Sequence, residues 1–297
     1  MPTIEVREIL SREEKLELLD RLERIGSAKL MEELEQTLLG GIHPEYRNNT
    51  EFLLRYLLLA AVLDQQADSE SARKTVRELY LNYGPDLFMS PEKHFDKINE
   101  VVEKALKTYE PKVRVLRMKK VGITLLRIGG YLTAINNLSL RYGGLSSYFK
   151  RFLNPRNLLE RGILGETMLT GLLYEKAARL YVGWVTHPDL PIKLYGDRIL
   201  KSEIPMVVDG HVAKIMARTG FLGKVRIEDP NNKIIEAERE RKNIEEACKD
   251  IKPFGDLFAI DYGAFHIGIN YCNERSPSCE RCPLNNLCRK NIEIRAF

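Results

Sequence analysis

Apolar residues recur along most of this chain at helical spacing, and strict alternation is rare. Ser11 to Leu39 carries long runs of Leu, Glu, Lys and Arg, with a predicted break at Gly26 and a stop at Gly40–Gly41. Thr50 is the predicted N-cap of a helix opening at Glu51. That helix is apolar nearly all round (Phe52, Leu53, Tyr56 to Leu59, Val62, Leu63), which predicts a central position. Further helices are expected over Ser69 to Tyr83, from Ser90-Pro91 to about Thr108, and over Val113 to Tyr142, where Gly129–Gly130 is a candidate break. Asn154-Pro155 opens a short one. After Trp184 the pattern changes. Thr186 to Pro205 holds three prolines and several β-branched residues, so an irregular insertion with one short strand is expected. Asp209-Gly210 then precedes a helix with Val212, Ile215, Met216 and Thr219 on one face. Glu236 to Lys249 reads as a charged helix and Gly255 to Asn270 as an apolar one. The predicted class is all-α.

Composition narrows the function classes. The 46 basic and 42 acidic side chains give a formal charge of +4, and 44 % of residues are hydrophobic, which excludes a disordered chain. The longest apolar stretch, Phe52 to Leu63, carries Arg55 and is shorter than the ~18 residues of a membrane-spanning helix. The opening MPTIEVREIL lacks a basic-then-apolar leader, so a cytoplasmic location is expected. A charge of +4 is compatible with DNA as a partner without being diagnostic.

Cysteine use is more informative. Of five cysteines, Cys248 stands alone, and Cys272, Cys279, Cys282 and Cys288 share one 17-residue loop. Disulfide staples would be spread along the chain, so this density points to one metal site. Four thiolates suit zinc or an iron–sulfur cluster, and ligand count does not separate them. The loop, Tyr-Cys-Asn-Glu-Arg-Ser-Pro-Ser-Cys-Glu-Arg-Cys-Pro-Leu-Asn-Asn-Leu-Cys, resembles the C-terminal [4Fe–4S] loop of the endonuclease III branch of helix–hairpin–helix DNA glycosylases. The match covers the cysteine spacing, the proline two before Cys279 and the Cys-Pro-Leu ending. The resemblance implies a [4Fe–4S] cofactor rather than zinc, and a monomer acting on duplex DNA that contains a damaged or mismatched base. It also implies a two-domain all-α fold with a cleft between the domains: a helical barrel over 51–200, and a cluster domain built from 1–50 and 201–297. Arg275, Arg281, Arg289 and Lys290 would then approach DNA phosphates.

The same family supplies a reading of Val208-Asp209-Gly210-His211-Val212, which resembles its Val-Asp-Thr-His-Val helix start with Gly210 in place of Thr. The catalytic aspartate carries over to Asp209, where a carboxylate stabilises positive charge developing on the deoxyribose or activates the nucleophile. Asp209 is equally suited to be a plain N-cap.

The family's DNA-anchoring hairpin has its counterpart at Leu169 to Ala178. Gly171 is retained, whereas Leu173 replaces the second glycine and Thr170 the proline, so an altered phosphate contact is expected. Ungapped alignment puts Glu175 at the position of the family's nucleophilic lysine, and one inserted residue puts Lys176 there. Lys176 lies about 80° from the centre of the apolar stripe of Leu173, Ala177, Leu180, Tyr181 and Trp184, at ~100° per residue, and Glu175 lies opposite it, which favours Lys176. A lysine amine attacking the sugar forms a Schiff base and cleaves the strand by β-elimination. Leu63-Asp64-Gln65-Gln66-Ala67-Asp68 resembles the segment whose glutamine fills the space of the flipped base, and Gln66 takes that position. The residues implied are thus Asp209 and Lys176 for catalysis, with Gln66 and Gly171 on DNA. The function expected is a glycosylase with associated lyase activity. The altered hairpin keeps a second reading open, a catalytically inactive damage-binding protein of the same fold.

Overall fold

The computed structural model describes residues 3–229, 231, 234–274, 276–291 and 293–295. Its longer helices are α1 (Arg12–Glu33), α2 (Thr50–Asp64), α3 (Ser69–Tyr83), α4 (Ile98–Leu106), α5 (Lys120–Tyr142), α6 (Glu175–Thr186), α7 (Gly210–Arg218), α8 (Ala237–Ile251) and α9 (Leu257–Asn270). Shorter helical turns connect them, so the class is all-α as expected. A small antiparallel sheet accompanies the helices in the order β1 (Thr3–Glu5), β2 (Lys224–Asp229), β3 (Ile234–Ile235), with Ile4 opposite Val225 and Ile227 opposite Ile235. Among the described residues no helix is long and apolar enough to cross a membrane. The chain divides into two compact units, Glu32–Ile199 and Met1–Met31 with Leu200–Phe297.

The Glu32–Ile199 unit is organised round α2. Every residue from Phe52 to Leu63 is buried. The helix begins one residue earlier than the sequence suggests: Asn49 is the N-cap, its side chain accepting from the Phe52 amide at 3.0 Å. Phe52, Tyr56, Tyr80 and Phe88 cluster with ring centroids 5.3–6.4 Å apart. Arg55 sits inside this apolar helix, 4 % exposed, because each of its three guanidinium nitrogens has an acceptor. It donates to Glu51 Oε1 at 2.6 Å, to the Phe88 and Met89 carbonyls at 2.9 and 3.3 Å, and to Ser139 Oγ at 2.7 Å. Glu51 also accepts from the Leu145 and Ser146 amides at 2.8 and 2.7 Å. One ion pair therefore ties α2 to α5 and to the turn that follows it. Gly129–Gly130 does not interrupt α5. The separation falls at Lys119, between a short helix over Arg114–Met118 and α5. Pro91 opens a short 3-10 turn, Pro91–His94, before α4, rather than one long helix.

In the unit of residues 1–31 and 200–297, α1, α7, α8 and α9 bury Leu18, Leu22, Val212, Ile215, Met216, Ile244, Ile260 and Ile267 together. Gly26 does not break α1. A Cβ there would meet the Ala259 carbonyl oxygen at 1.7 Å, and one at Gly263 would meet the Leu22 oxygen at 2.0 Å, so the two glycines let α1 and α9 pack backbone against backbone. The segment from Thr186 to Pro205 is irregular as expected, but it contains 3-10 turns at Gly196–Arg198 and Lys201–Glu203 instead of a strand.

Arg55→Met is expected to lower stability by about 1–3 kcal/mol in urea unfolding, because it leaves the partly buried Glu51 carboxylate with only the Leu145 and Ser146 amides. Adding Glu51→Gln should recover part of that loss, and an unchanged midpoint for Arg55→Met would contradict the network.

Candidate functional site

The cysteine loop follows directly on α9. It is held by its own backbone: Cys272 donates to the Ile267 carbonyl at 3.0 Å, Ser278 to Tyr271 at 2.7 Å, Cys282 to Cys279 at 3.1 Å and Cys288 to Leu284 at 2.8 Å. Leu284 and Leu287 anchor it in the hydrophobic core. Cys272, Cys279, Cys282 and Cys288 are half-buried, unpaired by any disulfide, and line one cavity of about 30 Å³ with Ile215, Thr219 and Leu284. Among the described residues no three of these sulfurs lie within 4.8 Å of one another. Four Zn–S bonds of about 2.3 Å in a tetrahedron require sulfurs about 3.8 Å apart. Burial raises the Cys282 thiol and pushes Cys288 up to about 11, so any metal bound here displaces protons.

The cage is braced by α7. Lys214, fully buried, donates to Glu274 Oε1 at 2.7 Å, and Arg218 approaches Glu274 Oε2 at 3.7 Å. Arg218, 1 % exposed, also donates to the Ile294 carbonyl at 2.6 Å, the Asn273 carbonyl at 3.1 Å and Cys272 Sγ at 3.2 Å. Lys214 and Glu274 therefore belong to the support of the cage, a role no spacing in the sequence marks.

At the other end of α7, Asp209 is the N-cap, its Oδ1 accepting from the Val212 amide at 3.1 Å. The side chain remains part-exposed. Immediately before it, Val208 has φ +42°, a left-handed conformation that is a genuine outlier for a β-branched residue and costs roughly 1–3 kcal/mol. Its amide donates to the buried Asp261 Oδ1 at 2.8 Å. Gly268 of α9 permits the close approach of α7, since a Cβ there would lie 2.7 Å from His211 Cβ.

The remaining expected residues fall in the Glu32–Ile199 unit or on the surface. Gly171 takes φ +80°, as a tight turn requires. Leu173 is buried with the rest of its apolar stripe. Lys176 is exposed in the first turn of α6, and Glu175 is paired with Arg179 at 3.0 Å. Gln66 is exposed at φ +54°, while its neighbour Gln65 is turned inward. Gln65 donates to the Val62 and Leu172 carbonyls at 3.0 and 2.8 Å and accepts from the Tyr174 amide at 2.7 Å, clamping the end of α2 to the turn before α6. Arg281 and Lys290 are exposed, and Arg289 is half-buried against Glu14. Arg275 lies outside the described residues.

Asp64, the last residue of α2, was not singled out by sequence. It keeps part of its surface in solvent, yet its Oδ1 is sealed without a hydrogen-bond partner. Burial raises its carboxyl above the ordinary range, opposed by the Ser69 hydrogen bond and by the charges of Lys176 and Lys112.

No protein-family model and no curated protein matches the chain. Among solved structures it is similar to one described as a thermostable thymine-DNA glycosylase, at 14 % identity and a TM-score of 0.49, over 94 % of this chain and 97 % of that one.

A carboxyl raised on folding holds its proton more tightly in the native state. Its stabilising contribution is present below the ordinary pKa of 3.8 and is lost as pH rises through the raised value. Asp64→Asn should therefore leave the melting temperature unchanged near pH 3.5 and raise it increasingly towards pH 8. A variant that gains nothing at pH 8 in thermal melts would contradict this environment.

Proposed function

We propose that the chain is a base-excision DNA glycosylase carrying a [4Fe–4S] cluster, with lyase activity. The observation that carries the proposal is on α7: a part-exposed carboxylate, Asp209, caps the N-terminus of the helix whose last turn grips the cysteine cage through Arg218. Both features fall on the motifs that carry the family resemblance, with Gly210 and Lys214 departing from the family's Thr and Arg. Cys272, Cys279, Cys282 and Cys288 would hold the cluster, which the resemblance of the loop's cysteine spacing favours over zinc. The cluster's contribution is structural, fixing the loop that carries Arg281. Arg281 and Lys290 present charge to phosphates at the surface, whereas Arg289 is occupied by Glu14.

In this reading a damaged or mismatched nucleotide is turned out of the duplex, and Gln66, exposed on its left-handed turn, occupies the vacated space. The carboxylate of Asp209 stabilises positive charge on the sugar as the base leaves with the electron pair of the C1′–N bond. The neutral amine of Lys176 bonds to C1′ and loses a proton, the C1′–O4′ bond then breaks with O4′ taking up a proton so that the opened sugar is held as the protonated Schiff base, and loss of a C2′ proton expels the 3′ phosphate. Exposure of Lys176 in the first turn of α6 supports that assignment over Glu175, which is engaged with Arg179. The turn that lacks its second glycine, with Leu173 buried instead, is the feature that favours the binding-only reading.

Borohydride should trap wild-type protein on abasic duplex DNA, and Lys176→Ala should abolish the adduct. Asp209→Asn should slow base release by roughly 100-fold or more. Duplexes with uracil, thymine glycol, 8-oxoguanine, hypoxanthine and G·T mismatches would identify the base. Binding to these without any adduct or base release would establish the binding-only reading. Independently, purified protein should contain about four irons per chain and absorb near 400 nm, and stoichiometric zinc in its place would contradict the cluster.

A further inference from the structure

The Val208 backbone is held where valine does not rest by itself. Its φ of +42° lies in the left-handed region, its side chain is packed in the hydrophobic core, and the next residue is Asp209. The partner of its amide is Asp261, 4 % exposed in the middle of the apolar α9. The contact is short, 2.8 Å, and spans 53 residues of sequence. An aspartate on the buried face of an apolar helix is costly to retain unless its oxygens are used. Here one oxygen is spent on the amide that precedes the candidate catalytic residue. Were that bond absent, Val208 would relax toward negative φ, and the rotation would be passed directly to the Cα of Asp209 and to the direction of its carboxylate.

We infer that Asp261 is a positioning residue for base excision, tethering the strained Val208 amide so that Asp209 is presented in its reactive orientation. The inference rests on the glycosylase reading for its chemistry, while the tether itself is a property of the backbone. Asp261 touches no reacting atom. It acts by preorganisation: misplacing a catalytic group by about 1 Å is enough to cost around 10²-fold in rate.

The test uses the full chain and three variants, under single-turnover conditions on whichever lesion the wild type processes. Asp261→Ala should slow base release by roughly 10- to 100-fold while changing DNA affinity by less than about twofold. Asp261→Asn keeps an accepting Oδ1 and should stay within about threefold of wild type. Val208→Gly added to Asp261→Ala should restore most of the lost rate, because glycine occupies positive φ without being held there. A rescue of this kind is not expected from a residue that only supports folding. Asp261→Ala excising at the wild-type rate, or the absence of rescue by Val208→Gly, would overturn the inference.

Hydrogen exchange supplies an arm that does not depend on activity. The Val208 amide should be protected in the wild type and in Asp261→Asn, and should exchange at least about tenfold faster in Asp261→Ala. Equal exchange in wild type and Asp261→Ala would refute the tether even in an active enzyme. A protected amide in a protein that removes no base would refute the glycosylase reading and leave the tether standing.

Discussion

Two cations, Lys214 and Arg218, are folded into the interior, and both meet the same carboxylate, Glu274. Taking such charges out of water costs several kcal/mol per ion unless partners compensate. Arg218 gains the Cys272 sulfur at 3.2 Å as well as three backbone carbonyls, so the guanidinium is matched by the cysteine loop and its neighbours. The C-terminal half of α7 is thereby fixed to the cysteine loop. Its N-terminus carries Asp209, and the helix is only nine residues long, so what anchors one end sets the position of the other.

Close backbone packing turns that anchor into a rigid frame. Gly26 and Gly263 bring α1 and α9 into direct contact, and Gly268 brings α9 against His211 of α7. Larger side chains at these points would move α9, and with it both Asp261 and the start of the cysteine loop. Within this unit the residues of chemical interest sit on elements whose spacing is set by what glycine lacks.

Much of the fold was legible because its signals are local. The burial of α2 follows from an apolar run twelve residues long, and the end of α5 follows from Gly143 in a left-handed cap. Gly26 misleads for the opposite reason: its purpose is the Ala259 carbonyl, distant in sequence, and nothing nearby distinguishes a packing notch from a break. Strand β2 alternates only over Lys224–Asp229, with Val225 and Ile227 inward, too short a pattern to stand out beside the helices. Among the site residues, the cysteines and Asp209 carry spacing that can be read directly. Gln65, Asp64 and Asp261 do not, since each acquires its role from a segment that only the folded chain brings near it, the turn before α6 in the first case and Val208 in the last.

The most direct test of the account is the stability of the chain with and without the proposed cluster. Calorimetry on the purified protein before and after oxidative removal of iron with a chelator should show a large loss of cooperative unfolding, because a loop without its cluster no longer holds the Cys272 sulfur against the buried Arg218. An iron-free protein that unfolds at the same temperature and with the same enthalpy as the loaded one would contradict the claim that the cysteine cage holds α7, and Asp209 with it, in place.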